Sequence, residues 1–194
     1  CGGGLYVTSD AKPIFINNTI ANNYASRYGG GLFAYNNADP IFKNTIFYND
    51  SCGTALGGNE VNLYDVTCDP KFYNCDIEGG NLLFSGTGAL LNYNGVFINN
   101  VDDDPVFVNP TTSWGTSANG ASADWSIDSL SVCINAGTSD TSGFGYMPYD
   151  YAGNNRFYRG RIDIGAFENQ QDIFANCNIT SNTTWEADTI KVGC

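Results

Sequence analysis

The groups that could do chemistry are unevenly spread along these 194 residues. Asp102, Asp103 and Asp104 are adjacent and offer the hard oxygen ligands that calcium takes. Neither an EF-hand nor a calcium-binding nonapeptide surrounds them, and the competing reading is a solvated acidic turn. Further on, Asp150, Arg156, Arg161, Asp163 and Glu168 fall within 19 residues. Arginine forks pair bidentately with carboxylates, so Asp150, Arg156, Asp163 and Glu168 are expected to form a hydrogen-bonded structural cap over the last turn of the fold. A catalytic reading pairs Asp150 with Asp163 or Glu168 as the two acids of a glycosidase. Trp114 and Trp125 flank a loop rich in Ser, Thr, Gly and Asn. Exposed, they would stack on the apolar faces of sugar rings; buried, they would close the end of a core.

Seven cysteines, at 1, 52, 68, 75, 133, 177 and 194, favour an oxidising compartment. Nearness in sequence suggests the pairs Cys52–Cys68 and Cys177–Cys194. Cys133, in the apolar run Val132-Cys133-Ile134, is expected as a buried free thiol. With no histidine and no C-x-x-C, the usual zinc sets are missing. Calcium is therefore the one cofactor the residues suggest.

Eight basic against 20 acidic residues give a net charge of −12. That excludes a nucleic-acid backbone as partner and an anionic lipid surface, and no apolar run is long enough to cross a bilayer. Aromatic residues make up 14%, too many for a disordered acidic tail. Asparagine occurs 25 times while only 14% of residues are charged, a mostly uncharged polar surface of the kind found on secreted solenoids.

These residues must be positioned by a repeat. Gly2-Gly3-Gly4-Leu5-Tyr6 returns as Gly29-Gly30-Gly31-Leu32-Phe33, and Pro13-Ile14-Phe15 as Pro40-Ile41-Phe42, both at an offset of 27. Asn18-Thr19-Ile20 matches Asn44-Thr45-Ile46 at 26, which predicts a one-residue slip in a turn. Asp69-Pro70, Phe72 and Asn74 follow at 30. Asp104-Pro105-Val106-Phe107 reads as a fourth echo. Short β-branched and aromatic stretches between Gly, Asn and Asp corners, at a period in the high twenties, predict stacked coils. Asn tolerates left-handed backbone angles at such corners, so a stacked ladder of Asn18, Asn44 and Asn74 is expected. A column of Phe15, Phe42, Phe72 and Phe107 should lie beside it. Short strands are expected at Leu82-Leu83-Phe84, Leu90-Leu91 and Val96-Phe97-Ile98.

The repeat resembles the right-handed parallel β-helix family, the architecture of pectate lyases and of many bacterial surface proteins. The order Asp104-Pro105-Val106-Phe107, Ser131-Val132-Cys133-Ile134-Asn135-Ala136-Gly137, Asp150-Tyr151-Ala152-Gly153-Asn154-Asn155-Arg156 and Asp163-Ile164-Gly165-Ala166-Phe167-Glu168 resembles the C-terminal segment of bacterial choice-of-anchor Q surface proteins. Val132 departs from that pattern, which usually has proline there. The resemblance implies an all-β fold, a right-handed parallel β-helix with a C-terminal capping segment and the start of a following module. Its divisions are coils over 1–109, a loop and cap over 110–168, and a linker with the first strands of a further module over 169–194. It also implies an exported protein at the cell surface or outside the cell.

A structural or adhesive module follows from this, fibre-forming or glycan-binding, with neighbouring modules, other copies of the chain or carbohydrate as partners. The many tyrosines join Trp114 and Trp125 as candidate sugar contacts. The alternative is a polysaccharide lyase or glycoside hydrolase on the same scaffold. Asp128-Ser129-Leu130 and Asp188-Thr189-Ile190 resemble the D-[ST]-hydrophobic O-glycosylation motif of Bacteroidetes secreted proteins, which makes Ser129 and Thr189 candidate glycan sites. The chain opens in mid-repeat and stops at Cys194, which predicts a piece of a longer polypeptide.

Overall fold

The computed structural model describes residues 1–170 except 56, 141–146 and 159, together with the backbone of two parallel strands, β15 (Ile173–Asn176) and β16 (Ile190–Gly193). Three coils and part of a fourth stack as a parallel β-helix. The first coil is β1 (Leu5–Thr8), β2 (Ile14–Ile16), β3 (Thr19–Ala21) and β4 (Tyr24–Ala25). The second is β5 (Leu32–Tyr35), β6 (Ile41–Lys43), β7 (Ile46–Tyr48) and β8 (Ser51–Cys52). The third contributes β9 (Val61–Leu63), β10 (Lys71–Tyr73) and β11 (Asp76–Ile77), and the fourth β12 (Val96–Ile98). Corresponding strands form parallel sheets in the orders β1-β5-β9, β12-β10-β6-β2 and β11-β7-β3, with a small β4-β8 pair.

Register confirms the repeat and corrects its details. Leu5 pairs with Leu32, Ile14 with Ile41, and Thr19 with Ile46. The offset of 27 thus runs unbroken through the first two coils, and no residue slips. Phe15, Phe42 and Phe72 stack at 5.0 and 5.1 Å between ring centroids. The next ring in the column is Phe97, at 6.0 Å from Phe72, not Phe107. Phe107 lies on β13 (Phe107–Asn109), which pairs antiparallel with β14 (Asp124–Ile127) outside the coils. Leu82, Leu83, Leu90 and Leu91 do not build strands. They fall in two 3-10 turns, Gly80–Leu83 and Leu90–Asn92, with all four side chains exposed. Inside the coils, Leu32, Phe42, Phe47, Leu63, Phe72 and Ile77 are fully buried, and area removed from water at this scale drives the stacking.

The asparagine column sits one place away from the expected one in coil one. Asn17, Asn44, Asn74 and Asn99 all have left-handed φ, between 49° and 55°, and the amide of Asn17 donates to Lys43, that of Asn44 to Tyr73 and that of Asn74 to Ile98. Asn18 stands instead above Thr45 and Cys75, and each of these side chains bonds the carbonyl two residues back. The column's amides do not ladder onto one another. Nδ2 of Asn17 donates to Asp163 O, that of Asn44 to Thr138 O and that of Asn74 to Ala136 O. An amide-to-amide step occurs at the next corner, where Asn49 Nδ2 donates to Asn22 Oδ1 at 2.7 Å.

Those bonds show where the C-terminal segment lies. It runs along the flank of coils one to three, over the outer face of the β3-β7-β11 sheet, rather than across the end of the last coil. Ile46, Ile127, Cys133 and Ile164 form a second small core there. A Cβ at Gly165 would stand 2.7 Å from Ile46 Cδ1, and its φ is 109°, so glycine is what permits this close approach.

Candidate functional site

The outer face of the β1-β5-β9 sheet carries a shelf of aromatic rings. Side chains alternate along these strands. Val7, Leu32 and Ala34 belong to the core cluster and Leu5 packs against it, which sends Tyr6, Phe33 and Tyr35 outward. Tyr6 and Phe33 stack at 5.3 Å, nearly parallel. Tyr64, just past β9, meets Phe33 at 5.6 Å and Tyr35 at 5.3 Å edge-on. Tyr28, from the corner before β5, closes the group at 5.9 Å from Phe33 and 5.5 Å from Tyr64. The rings and Cys1 line a shallow depression of about 380 Å³. Tyr6, Tyr35 and Tyr64 remain 41 to 54% exposed, while Phe33 is buried among them. Arg27 sits at the lip, its guanidinium carbon 5.9 Å from the Tyr28 ring centre.

Chemically this is a flat, rigid, amphipathic surface. Ring faces offer dispersion contact and hydroxyls offer hydrogen bonds. The period-two pattern Leu-Tyr-Val and Leu-Phe-Ala-Tyr carried the signal. A reading of Leu32-Phe33 as one apolar run hides it.

The acidic candidates each accept hydrogen bonds from the chain itself. Asp102 accepts from the amide of Gly79, Asp103 from that of Asp104, and Asp104 from that of Val106. The three carboxylates therefore face three separate amides, and among the described residues no three acid or thiol groups are placed to hold a metal. In the flank segment, Arg156 Nη1 donates to Glu168 Oε1 at 3.0 Å and to Gly165 O, and Nη2 to Ala166 O. Asp163 accepts from the amides of Asn135 and Asn169. Asp150 accepts from Asn154 and from the amide of Glu168. The four expected cap residues thus come together, but as a pin for a strap along the flank.

Burial pushes Glu168 up to about 8, and the Asp163 charge adds to it against the pull of Arg156. Asp163 is raised by burial as well. At Asp150, burial is outweighed by the Glu168 amide and Asn154, and its carboxyl is held below the ordinary range. Asp150, Asp163 and Glu168 are all buried, with these oxygens hydrogen-bonded within the segment.

Trp114 is 45% exposed, but its indole N–H donates to Asn49 O at 2.8 Å and fixes the loop onto coil two. Trp125 packs edge-on against Phe107 at 5.2 Å. Ser129 is exposed, and its hydroxyl bonds Asp128. Thr189, Cys177 and Cys194 lie outside the described residues.

Cys52 and Cys68 are free thiols, as are Cys1, Cys75 and Cys133. The expected Cys52–Cys68 pair fails because the two occupy different corners of the coil. Cys52 stacks on Ala25 in the β4-β8 pair, whereas Cys68 is buried after β9 with its thiol on Asp65. Cys133 is buried and unpaired, on a turn rather than a strand, and donates to Asp76 Oδ2 at 3.1 Å. No helix among the described residues is long and apolar enough to cross a membrane.

No curated protein and no solved structure matches the chain. The family model described as the right handed beta helix region matches residues 1–128, about two thirds of the sequence and all of the coils. With that match and parallel register through successive coils, the chain belongs to the right-handed β-helix family.

Proposed function

We propose that this chain is a non-catalytic structural and adhesive module of an exported bacterial protein, and that it contacts glycans through the shelf of Tyr6, Tyr28, Phe33, Tyr35 and Tyr64. The observation that carries the reading is the composition of that shelf. It is built of rings with no aliphatic side chain among them, and four of the five carry a hydroxyl. Such a surface suits a sugar, which has an apolar face and a polar rim, better than an apolar protein partner. Rings that follow the stacking of the coils favour a glycan lying along the solenoid axis.

Export is supported by the motif order of the C-terminal segment and by the asparagine-rich surface. Cysteine usage no longer adds to it, since the described thiols are unpaired. Association with further modules or copies is supported at the far end of the stack. There β12 is an edge strand, and Leu82, Leu83, Leu90 and Leu91 are exposed in the adjoining turns.

A panel of neutral and uronate oligosaccharides, followed by ring-proton NMR, tests the reading. At least one neutral glycan is expected to shift the shelf tyrosines. Tyr35→Ala and Tyr64→Ala should each weaken binding about fivefold, from the loss of roughly 1 kcal/mol of ring contact. Trp114→Phe should leave it unchanged. Absence of binding across the panel, or binding indifferent to both tyrosines, would refute the shelf.

A further inference from the structure

The corner joining coil two to coil three holds two carboxyl groups that, among the described residues, form no ion pair. Asp50 is 3% exposed and Glu60 6%. Asp50 Oδ1 accepts from the amide of Asn23 at 2.7 Å and from Asn23 Nδ2 at 2.9 Å. Glu60 Oε1 accepts from the amide of Asp50 at 3.0 Å. The other oxygen of each, Asp50 Oδ2 and Glu60 Oε2, is buried with no donor. Two ionised carboxylates in this position would repel and leave two buried acceptors empty. One proton between them turns the same geometry into an O–H···O bond and satisfies both oxygens. Gly31 closes the other side, since a Cβ there would stand 2.5 Å from Asp50 Oδ2.

We propose that Asp50 and Glu60 share a proton and act as a proton-operated latch between coil one and the start of β9. The latch ties Asp50 to coil one through Asn23 and to β9 through Glu60. Charged groups facing the pair are acids. Glu78, from coil three, accepts from the amide of Asn49, next to Asp50, at 2.8 Å. From coil one, among the described residues, the neutral Asn23 bonds the pair. Among the described residues the ion pairs lie elsewhere, at Lys12–Asp39 and Arg156–Glu168. Burial raises both carboxyls, with the Glu78 charge adding at Asp50 and the Asp50 charge at Glu60. For raised acids the bound proton stabilises the closed form at low pH, and that stability is lost as pH rises. The latch therefore opens on the alkaline side.

Hydrogen exchange of the peptide 50–60, read together with side-chain carboxyl ¹³C shifts, tests the latch. Glu60→Gln serves as the permanently closed form, since its amide donates to Asp50 at every pH. The ratio of wild-type to Glu60→Gln exchange cancels the intrinsic pH dependence. It should lie near one at about pH 6 and rise at least about tenfold by about pH 10. The wild-type Glu60 carbon should keep its protonated shift past neutrality. Both carbons ionised at about pH 6, or a flat ratio, would overturn the proposal. So would abolition of the titration by added calcium, which would put a cation between the oxygens instead. If Glu60→Gln does not fold, the wild-type ¹³C titration decides alone.

Discussion

Asn44 shows how much one side chain does at a coil corner. It is 2% exposed, with φ at 49°. Its amide donates to Thr138 O at 3.0 Å, and its Oδ1 accepts from the Thr138 amide at 2.8 Å. Asn44→Ala should lose both bonds and strain the backbone, costing about 3–5 kcal/mol, whereas Asn44→Gly keeps the backbone and should cost about 1–2 kcal/mol. Chemical denaturation of the two variants checks the order; an alanine no worse than glycine would contradict it. Val106 offers the opposite case. A β-branched residue at φ 50° carries strain that asparagine tolerates, so Val106→Asn should gain about 1 kcal/mol. The sequence announced that asparagine holds these corners, because its backbone tolerance is a property of the residue alone. It did not reveal that Asn17 rather than Asn18 heads the column. With two asparagines adjacent, either fits the local rule, and only hydrogen bonds to coil two decide between them.

At the scale of elements, local repeats were legible and lateral docking was not. Leu5 and Leu32, or Phe15 and Phe42, stand at one offset, so parallel register could be read directly. The flank segment has no repeat to compare with. Its position is set by bonds such as that of Asn74 to Ala136, 62 residues apart. Its acids and arginine were readable as a pinned group, because unpaired charge is rarely buried, but not the surface they pin. Removing the pin should free the strap before the coils. Arg156→Met leaves Glu168 buried without its cation, an expected cost of about 3–5 kcal/mol. That full loss belongs above about pH 8, where Glu168 is ionised; at about pH 5 Glu168, raised to about 8 by burial, already holds a proton and the loss should be smaller. Limited proteolysis should cut within 125–168 while residues 1–101 stay intact; simultaneous loss of both would show that strap and coils unfold as one.

Across the whole molecule, the buried acids set an unusual direction for pH. Burial raises Asp76 to about 7 and Glu168 to about 8, and it raises Asp50, Glu60 and Asp163 too. In each case the folded chain holds protons that the unfolded chain has released, so stability falls as pH climbs from the ordinary carboxylate range through these values. Asp65, Asp124 and Asp150 are lowered, and their contribution is lost only as pH falls below the ordinary value of 3.8. A net charge of −12 adds self-repulsion in the same alkaline direction. The melting temperature should accordingly be higher at about pH 5 than at pH 7, and higher at pH 7 than at pH 9. Salt separates the two causes. About 0.5 M screens charges on the surface but hardly those inside the coils, so a slope that persists in salt belongs to the buried carboxyls. In that medium Glu168→Gln and Glu60→Gln should each flatten the curve, because a neutral amide has no proton to lose. A melting temperature that rises from pH 5 to pH 9 would mean that these acids are ionised in the folded chain and that its interior is far wetter than the packing of Phe42, Phe47 and Phe72 implies.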